Sequence, residues 1–280
     1  MLQFLVFVDR FSYLFLDFAF KNQNGGGFPQ EEIRLSVFTI YGKNTKVFMT
    51  VTKEQEQIKS WFDNVYKTRG FRYLRPLEAY KIFVTILITK PNTKHLDVAC
   101  GLGLMLKALE GKRVECYGID LSDVAIEGSR KFCPDANVTV GNAEKLPYRN
   151  EMFDSLTCLG SLERMMNRDI ALAEQLRVAK QGADICYMVR NSENFTWRFL
   201  LKPLNLYNKK GHQDALNLEQ WQTLFENVGL EIVNVYPDQW PYYRLMQILK
   251  PWKKIDAGKI LKFPMRISHA YEFIFHLRKK

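Results

Sequence analysis

One short segment constrains this chain more than any other: His95-Leu96-Asp97-Val98-Ala99-Cys100-Gly101-Leu102-Gly103. A short apolar run with this composition reads as a buried strand, and it breaks at once into a glycine-rich turn that opens a helix. The motif does not stand alone. Apolar runs recur at 95–100, 114–120, 137–140, 155–159 and 184–190. Helical candidates lie between them at 103–110, 122–132 and 168–180, with Gly111 and Gly182 expected as their stops. Alternating strand and helix requires a parallel sheet with right-handed crossovers. A further helix over 217–228, a strand over 231–236 and an alternating run over 270–277 complete the pattern.

Upstream of this beat, Ile58, Trp61, Phe62, Val65 and Tyr66 fall on one helical face, and Thr52 with Gln55 forms a capping-box signature. A second helix is expected from Pro76 to Ile88, stopped by Pro91 and Asn92. The N-terminal stretch is rich in Phe, but Asp9, Arg10 and Asp17 interrupt it and no basic segment precedes it. Neither a signal peptide nor a spanning helix is expected there. Five cysteines without a CxxC spacing point to buried small hydrophobes rather than zinc or disulfides, and hence to a reducing compartment, the cytoplasm. The formal charge is +10, and residues 241–280 hold ten Lys and Arg against two acids, so the excess is gathered near the C-terminus.

Several residues suit ligand chemistry. Glycines at 101 and 103 allow close approach of backbone to a ligand, and a helix N-terminus offers free N–H groups. A dinucleotide fingerprint would carry Gly or Ala at position 106, where this chain has Leu. Asp97 would repel a pyrophosphate and favour a ligand bearing positive charge. Asp120, at the end of the second strand, either accepts two hydrogen bonds from a ribose diol or, with Ser122, caps the next helix.

Taken in order, DxACGxG (97–103), GID (118–120), GNAEKLP (141–147), FDSLTCLGSLE (153–163) and LRVAKQGA (176–183) resemble the successive motifs of class I S-adenosylmethionine-dependent methyltransferases. The type-11 branch, which includes quinone-biosynthesis C-methyltransferases, is the most similar group. The resemblance implies an α/β, doubly wound, mostly parallel seven-stranded Rossmann-like sheet with an N-terminal helical lid, and S-adenosylmethionine as cofactor. Residues 1–48 lie outside it as an extension of unknown role. Residues 49–280 form the methyltransferase domain, comprising a lid over 49–90, a cofactor-binding half over 91–190 and an acceptor-side half over 191–280. It further implies that Asp97, Ala99, Cys100, Gly101 and Gly103 surround the methionine part of the cofactor. Asp120 would hold the ribose with Leu121 beside the adenine, Asn142, Ala143 and Glu144 would address the adenine edge, and Leu159 would lie near the sulfonium. The family commonly has Gly where Ala99 stands and Pro-Gly-Gly where Lys180-Gln181-Gly182 stands.

The acceptor is expected to be a small, apolar or aromatic molecule, taken up by in-line methyl transfer without a metal. His212 is either a general base or a loop histidine, Glu163 holds a helix or a substrate group, and His95 is expected to be structural. Aromatics at Phe195, Trp197, Phe199, Trp240, Tyr242 and Tyr243 either line an acceptor pocket or pack their loops onto the sheet. The basic, amphipathic stretch within 241–268 either meets a membrane surface or packs with a solvated rim. Two other functions remain open: a non-catalytic cofactor-binding partner subunit, and an RNA or protein methyltransferase anchored by the basic C-terminal region. The motifs typical of methylation on nucleic-acid bases are missing, which disfavours a nucleic-acid substrate.

Overall fold

The computed structural model describes residues 52–87, 90–194, 203–204, 214–253, 256–260 and 266–280. Residues 1–48, His212 and the aromatics at 195, 197 and 199 lie outside the described residues.

Helix α1 (Lys53–Arg69) begins with the expected capping box: Gln55 N donates to Thr52 Oγ1 at 3.2 Å and Thr52 N donates to Gln55 Oε1 at 3.0 Å. Glu54 and Glu56 in its first turn and Lys67 and Arg69 in its last complement the helix dipole. The helix expected from Pro76 is split. Pro76 caps a 3₁₀ turn, Leu77–Tyr80, and α2 (Lys81–Ile86) follows.

The alternating region then folds as β1 (Lys94–Val98), α3 (Leu104–Ala108), β2 (Glu115–Asp120), α4 (Asp123–Phe132), β3 (Asn137–Val140), β4 (Phe153–Leu159), α5 (Arg168–Val178) and β5 (Ala179–Arg190). Helix α6 (Leu218–Asn227), β6 (Leu230–Pro237), α7 (Trp240–Leu249) and β7 (Glu272–Lys279) complete it. The sheet order is β3-β2-β1-β4-β5-β7-β6. The first five strands are parallel, and β7 runs antiparallel between β5 and β6. Gly182 does not stop α5. It sits inside β5 at φ 72°, where the register jumps from Phe153↔Ala179 to Ser155↔Asp184, so the extra residues form an irregularity at the start of the strand.

Each sheet face is covered. On one, Leu96, Val98, Leu156, Ile185, Tyr187 and Phe275 pack beneath Trp221 and Phe225 of α6. On the other, Cys186, Met188 and Ile274 meet Met105 and Leu109 and the α2 residues Ile82, Phe83 and Ile86. All five cysteines are free thiols and four are buried. Trp240 and Tyr243 also belong to the core, packed with Ala79 and Ala257, so these two aromatics hold the loop to the domain instead of facing a pocket.

One buried ionic cluster ties the N-terminal segment to the C-terminal half. Arg75 donates from Nη1 and Nη2 to the two carboxylate oxygens of Asp238 at 2.9 and 2.8 Å, and also reaches Glu272. Arg190 reaches Glu272 from β5 at 3.3 Å. Burial pushes the Glu272 carboxyl up, but Arg75 and Arg190 more than offset this and hold it below its ordinary range. Arg75→Met would leave two buried carboxylates short of a partner and is expected to cost about 3–5 kcal/mol, measured by urea unfolding. The contribution of Glu272 is present above its unfolded-state pKa and is lost as the pH falls through the lower folded value.

Candidate active site

At the carboxyl end of β1 the backbone makes three left-handed steps, Ala99 at φ 58°, Gly101 at φ 53° and Gly103 at φ 83°. Ala99 holds this conformation with a Cβ present, at a cost of about 1–2 kcal/mol. The two glycines serve different ends. A Cβ on Gly101 would come within 3.0 Å of Tyr66 Oη, on the side that α1 covers. A Cβ on Gly103 would lie 2.5 Å from Ser129 Oγ and 3.2 Å from Cys133 Sγ, so this glycine lets α4 pack against the turn.

Asp120 closes the turn from the neighbouring strand. Its Oδ2 accepts Gly101 N–H at 2.8 Å and its Oδ1 accepts Ser122 N–H at 2.9 Å. Each oxygen retains a lone-pair direction for a further donor. Ser122 Oγ in turn accepts Ala125 N–H at 3.0 Å as the N-cap of α4. The cap of α4 therefore falls to Ser122, and Asp120 binds the two turns.

Helix α1 lies across this edge. Lys59 Nζ bonds Asp63 at 2.9 Å and also reaches Asp123, while Ser122 Oγ bonds Asp63, so the helix is latched to the start of α4. Beneath it is a cleft of about 730 Å³, its open mouth included. Ile58, Phe62 and Tyr66 form its roof and Ala99, Asp120, Leu121, Asn142, Ala143 and Glu144 its floor. Ser161, Arg164, Met165 and Met166, after β4, close the far side.

The cleft thus gathers six of the residues singled out in the sequence. The others lie beside the cleft and outside its lining. Cys100 turns its side chain into a core cluster with Leu106 and Ile126. Leu159 packs against the cluster beneath α2. Asp97 is 3% exposed and lies behind the turn, accepting Thr157 Oγ1–H at 2.6 Å. Sequence reading did not single out Thr157, Arg164 or the Lys59–Asp63 latch. Only the apolar stripe of α1 signalled the roof.

The electrostatics are those of a buried acidic site. Burial raises Asp97 to about 7, with the Thr157 hydrogen bond pulling it back and the Asp120 charge pushing it up. Burial likewise raises Asp120 to about 6 against the pull of the Ser122 and Gly101 N–H groups. Glu163, just past β4, is buried, no side-chain donor among the described residues reaches its carboxylate oxygens, and burial raises its pKa too. Lys59 is spent on two aspartates, and Arg164 anchors its Nε on the Gly160 carbonyl at 3.1 Å while lying 5.8 Å from the Phe62 ring centroid. Such a cleft suits a flat, partly apolar ligand with hydroxyl donors and a positive charge.

The sheet order, the antiparallel β7 and a cleft at the carboxyl ends of the first strands define a Rossmann-like, class I methyltransferase fold. Two solved structures share it, and at their low identity they bear on the fold alone. Phosphoethanolamine N-methyltransferase 2 of Haemonchus contortus, in complex with phosphomonomethylethanolamine and S-adenosylhomocysteine, aligns with a TM-score of 0.58 at 14% identity, covering 80% of this chain and 60% of that one. An S-adenosylmethionine-dependent methyltransferase from Thermotoga maritima aligns with a TM-score of 0.53 at 17% identity, covering 81% and 99%.

Residues 96–187 match the type-11 family model, described as a methyltransferase domain. The ubiquinone/menaquinone biosynthesis C-methyltransferase UbiE of Burkholderia vietnamiensis is 30% identical over 162 residues, which cover 54% of this chain and 63% of the relative. The chain therefore spans less than two thirds of that relative's length. The cofactor of the family is S-adenosylmethionine.

Both acids titrate above their unfolded values, so the folded protein without ligand holds protons that the unfolded chain releases. The stability this gives is complete below about pH 4 and is lost as the pH rises towards about 7. Asp97→Asn should flatten this fall and raise the stability of the ligand-free protein at pH 8 by about 2–4 kcal/mol, read from thermal unfolding across the pH range.

Proposed function

We propose that this chain catalyses methyl transfer from S-adenosylmethionine to a small, apolar or aromatic acceptor. The observation that carries the reading is Asp120. It is a buried carboxylate lining the cleft, held by the backbone N–H groups of Gly101 and Ser122, and an ionised carboxylate has about four lone-pair sites with which to accept ribose hydroxyls as well. When bound, the cofactor supplies a methyl group activated by a sulfonium, which an acceptor nucleophile displaces in line as the carbon–sulfur bond breaks and S-adenosylhomocysteine leaves. The protein's part is placement and exclusion of water. Asn142, Ala143 and Glu144 take the adenine edge, and the Gly101 turn lets the backbone approach the amino-acid part. Asp97 balances the positive end, while Phe62 and Tyr66 on α1 cover the cleft.

Two features support an apolar or aromatic acceptor. The far side of the cleft is made by Met165 and Met166 next to Phe62, with Arg164 available for an acidic substituent. The curated relative is named for C-methylation in ubiquinone and menaquinone biosynthesis. The chain's partner surface, in this proposal, is the end of α7 and the residues after it. Ile248, Leu249 and Trp252 are exposed there, Trp252 by 81%, next to exposed Lys250 and Lys253. That combination suits an anionic lipid surface from which an apolar acceptor could be drawn. Among the described residues no helix is long and apolar enough to cross a membrane.

Two measurements test this. Asp120→Ala should weaken S-adenosylhomocysteine binding by about 1.5–3 kcal/mol in calorimetry, and unchanged affinity in the folded variant would remove the ribose assignment. Incubation with methyl-labelled S-adenosylmethionine and fractionated cell extract should place label in an organic-extractable small molecule. Label in RNA or protein would transfer the activity to a macromolecular acceptor, and binding without any transfer would make the chain a cofactor-holding subunit.

A further inference from the structure

On the sheet face beneath α2 and α3, the apolar residues Cys186, Met188 and Ile274 of β5 and β7 give way on β1 and β4 to a line of polar side chains. His95 and Asp97 point to this face from β1, and Ser155 and Thr157, their register partners on β4, point with them. His95 Nδ1 lies 2.9 Å from Ser155 Oγ and its Nε2 lies 3.0 Å from Thr157 Oγ1. Thr157 Oγ1 donates to Asp97 Oδ1 at 2.6 Å. His95 and Thr157 are 0% exposed, and Ser155 and Asp97 are 5% and 3% exposed.

The geometry fixes the direction of every proton in this line. Thr157 has one hydroxyl hydrogen and spends it on Asp97, so it must accept from His95 Nε2–H. The imidazole is then the Nε2–H tautomer, and its Nδ1 accepts the Ser155 hydroxyl. Burial pushes the His95 pKa down to about 3, so the ring is neutral and the tautomer persists through physiological pH. Ser155, His95 and Thr157 therefore form a chain of donors all pointing towards one carboxylate. Such chains polarise cooperatively in a low-dielectric interior, and each bond raises the donor strength of the next.

We propose that His95 and Thr157 are positioning residues that hold Asp97 in its ionised form, ready for the cationic amino-acid end of the cofactor. This rests on the reading of Asp97 as a cofactor-facing acid. Polar groups in a buried layer are costly unless each is satisfied, and aliphatic side chains would fill the same space without that requirement. The chain is satisfied at every link and ends on a single acceptor. Its Oδ1 is taken by Thr157, and among the described residues no protein donor reaches Oδ2, which is left for a ligand. Among the described residues, the groups that act on Asp97 include no competing cation. Asp120 on β2 repels it. The thiols of Cys100, Cys116, Cys133 and Cys158 and the Tyr80 phenol all stand above their ordinary values and are neutral.

The test is the pH profile of ligand affinity in the full chain, followed by calorimetry from about pH 5.5 to about 8.5. S-adenosylhomocysteine, which carries the ammonium, is compared with 5′-methylthioadenosine, which lacks the amino-acid part. Thr157→Val keeps the shape and removes the donor. It should move the rising limb of S-adenosylhomocysteine affinity up by about one pH unit, about tenfold weaker binding near pH 7, and leave methylthioadenosine unaffected. His95→Leu should act in the same direction with a smaller shift, and His95→Gln, whose amide N–H can reach Thr157, should restore the native profile. A purely structural histidine would instead change the affinity of both ligands together, at all pH values, or neither. Native profiles in Thr157→Val and His95→Leu overturn the proposal. Asp97→Asn separates the two levels: if it too leaves S-adenosylhomocysteine affinity unchanged, the cofactor-facing reading of Asp97 fails. If it weakens binding while the other variants do not, only the role of the chain is lost.

Discussion

The structure at the sheet edge depends on one carboxylate. Asp120 takes the Gly101 N–H from one turn and the Ser122 N–H from the next, so a single side chain sets the distance between the start of α3 and the start of α4. Ser122 is also the cap of α4 and the point to which Asp63 of α1 is latched. Removing an isolated surface acid costs little, but here turn, cap and roof share the same few atoms. The floor of the cleft and its cover are therefore positioned by one hydrogen-bond system, and the acid that would recognise the ligand is also the acid that shapes the space for it.

That double use explains the balance of charge. An acid spent on backbone donors in a dry site remains costly to ionise; Asp63 adds repulsion to it, and its own charge raises Asp97 in turn. Among the described residues no cation acts on either. Lys59, the nearest ammonium in the roof, is held by Asp63 and Asp123. The site is thus incomplete electrostatically, and a positively charged ligand is the natural complement. Strain in the same place points the same way, since Ala99 adopts a left-handed backbone that glycine would adopt more easily.

Much of the fold was legible because parallel strands buried on both faces are written as short apolar runs, and those runs alternate with helices at regular intervals. The capping box at Thr52 and the strand-turn-helix at 95–103 appear as written. The misplaced details share a cause: each depends on a partner distant in the chain. Gly182 looks like a helix stop until β4 is laid beside it and the register shift appears. Trp240 and Tyr243 look like pocket aromatics until the backbone carbonyl of Asp256 accepts the Tyr243 hydroxyl and Ala79 covers the pair. His95 and Thr157 are 62 residues apart, and no periodicity in a single strand announces that their side chains meet.

The position of β7 has a consequence for how the molecule is made. Among the described strands β6 is hydrogen-bonded only to β7, and β7 lies between it and β5, although it is the last of them to be synthesised. A nascent chain can assemble β1 to β5 around their helices while translation continues. It cannot place β6, nor bury the Arg75 guanidinium against Glu272, until residues 272–279 have left the ribosome. Throughout that interval the edge of β5 stands open with a row of unpaired amides and carbonyls, the situation in which a strand is most exposed to the wrong partner.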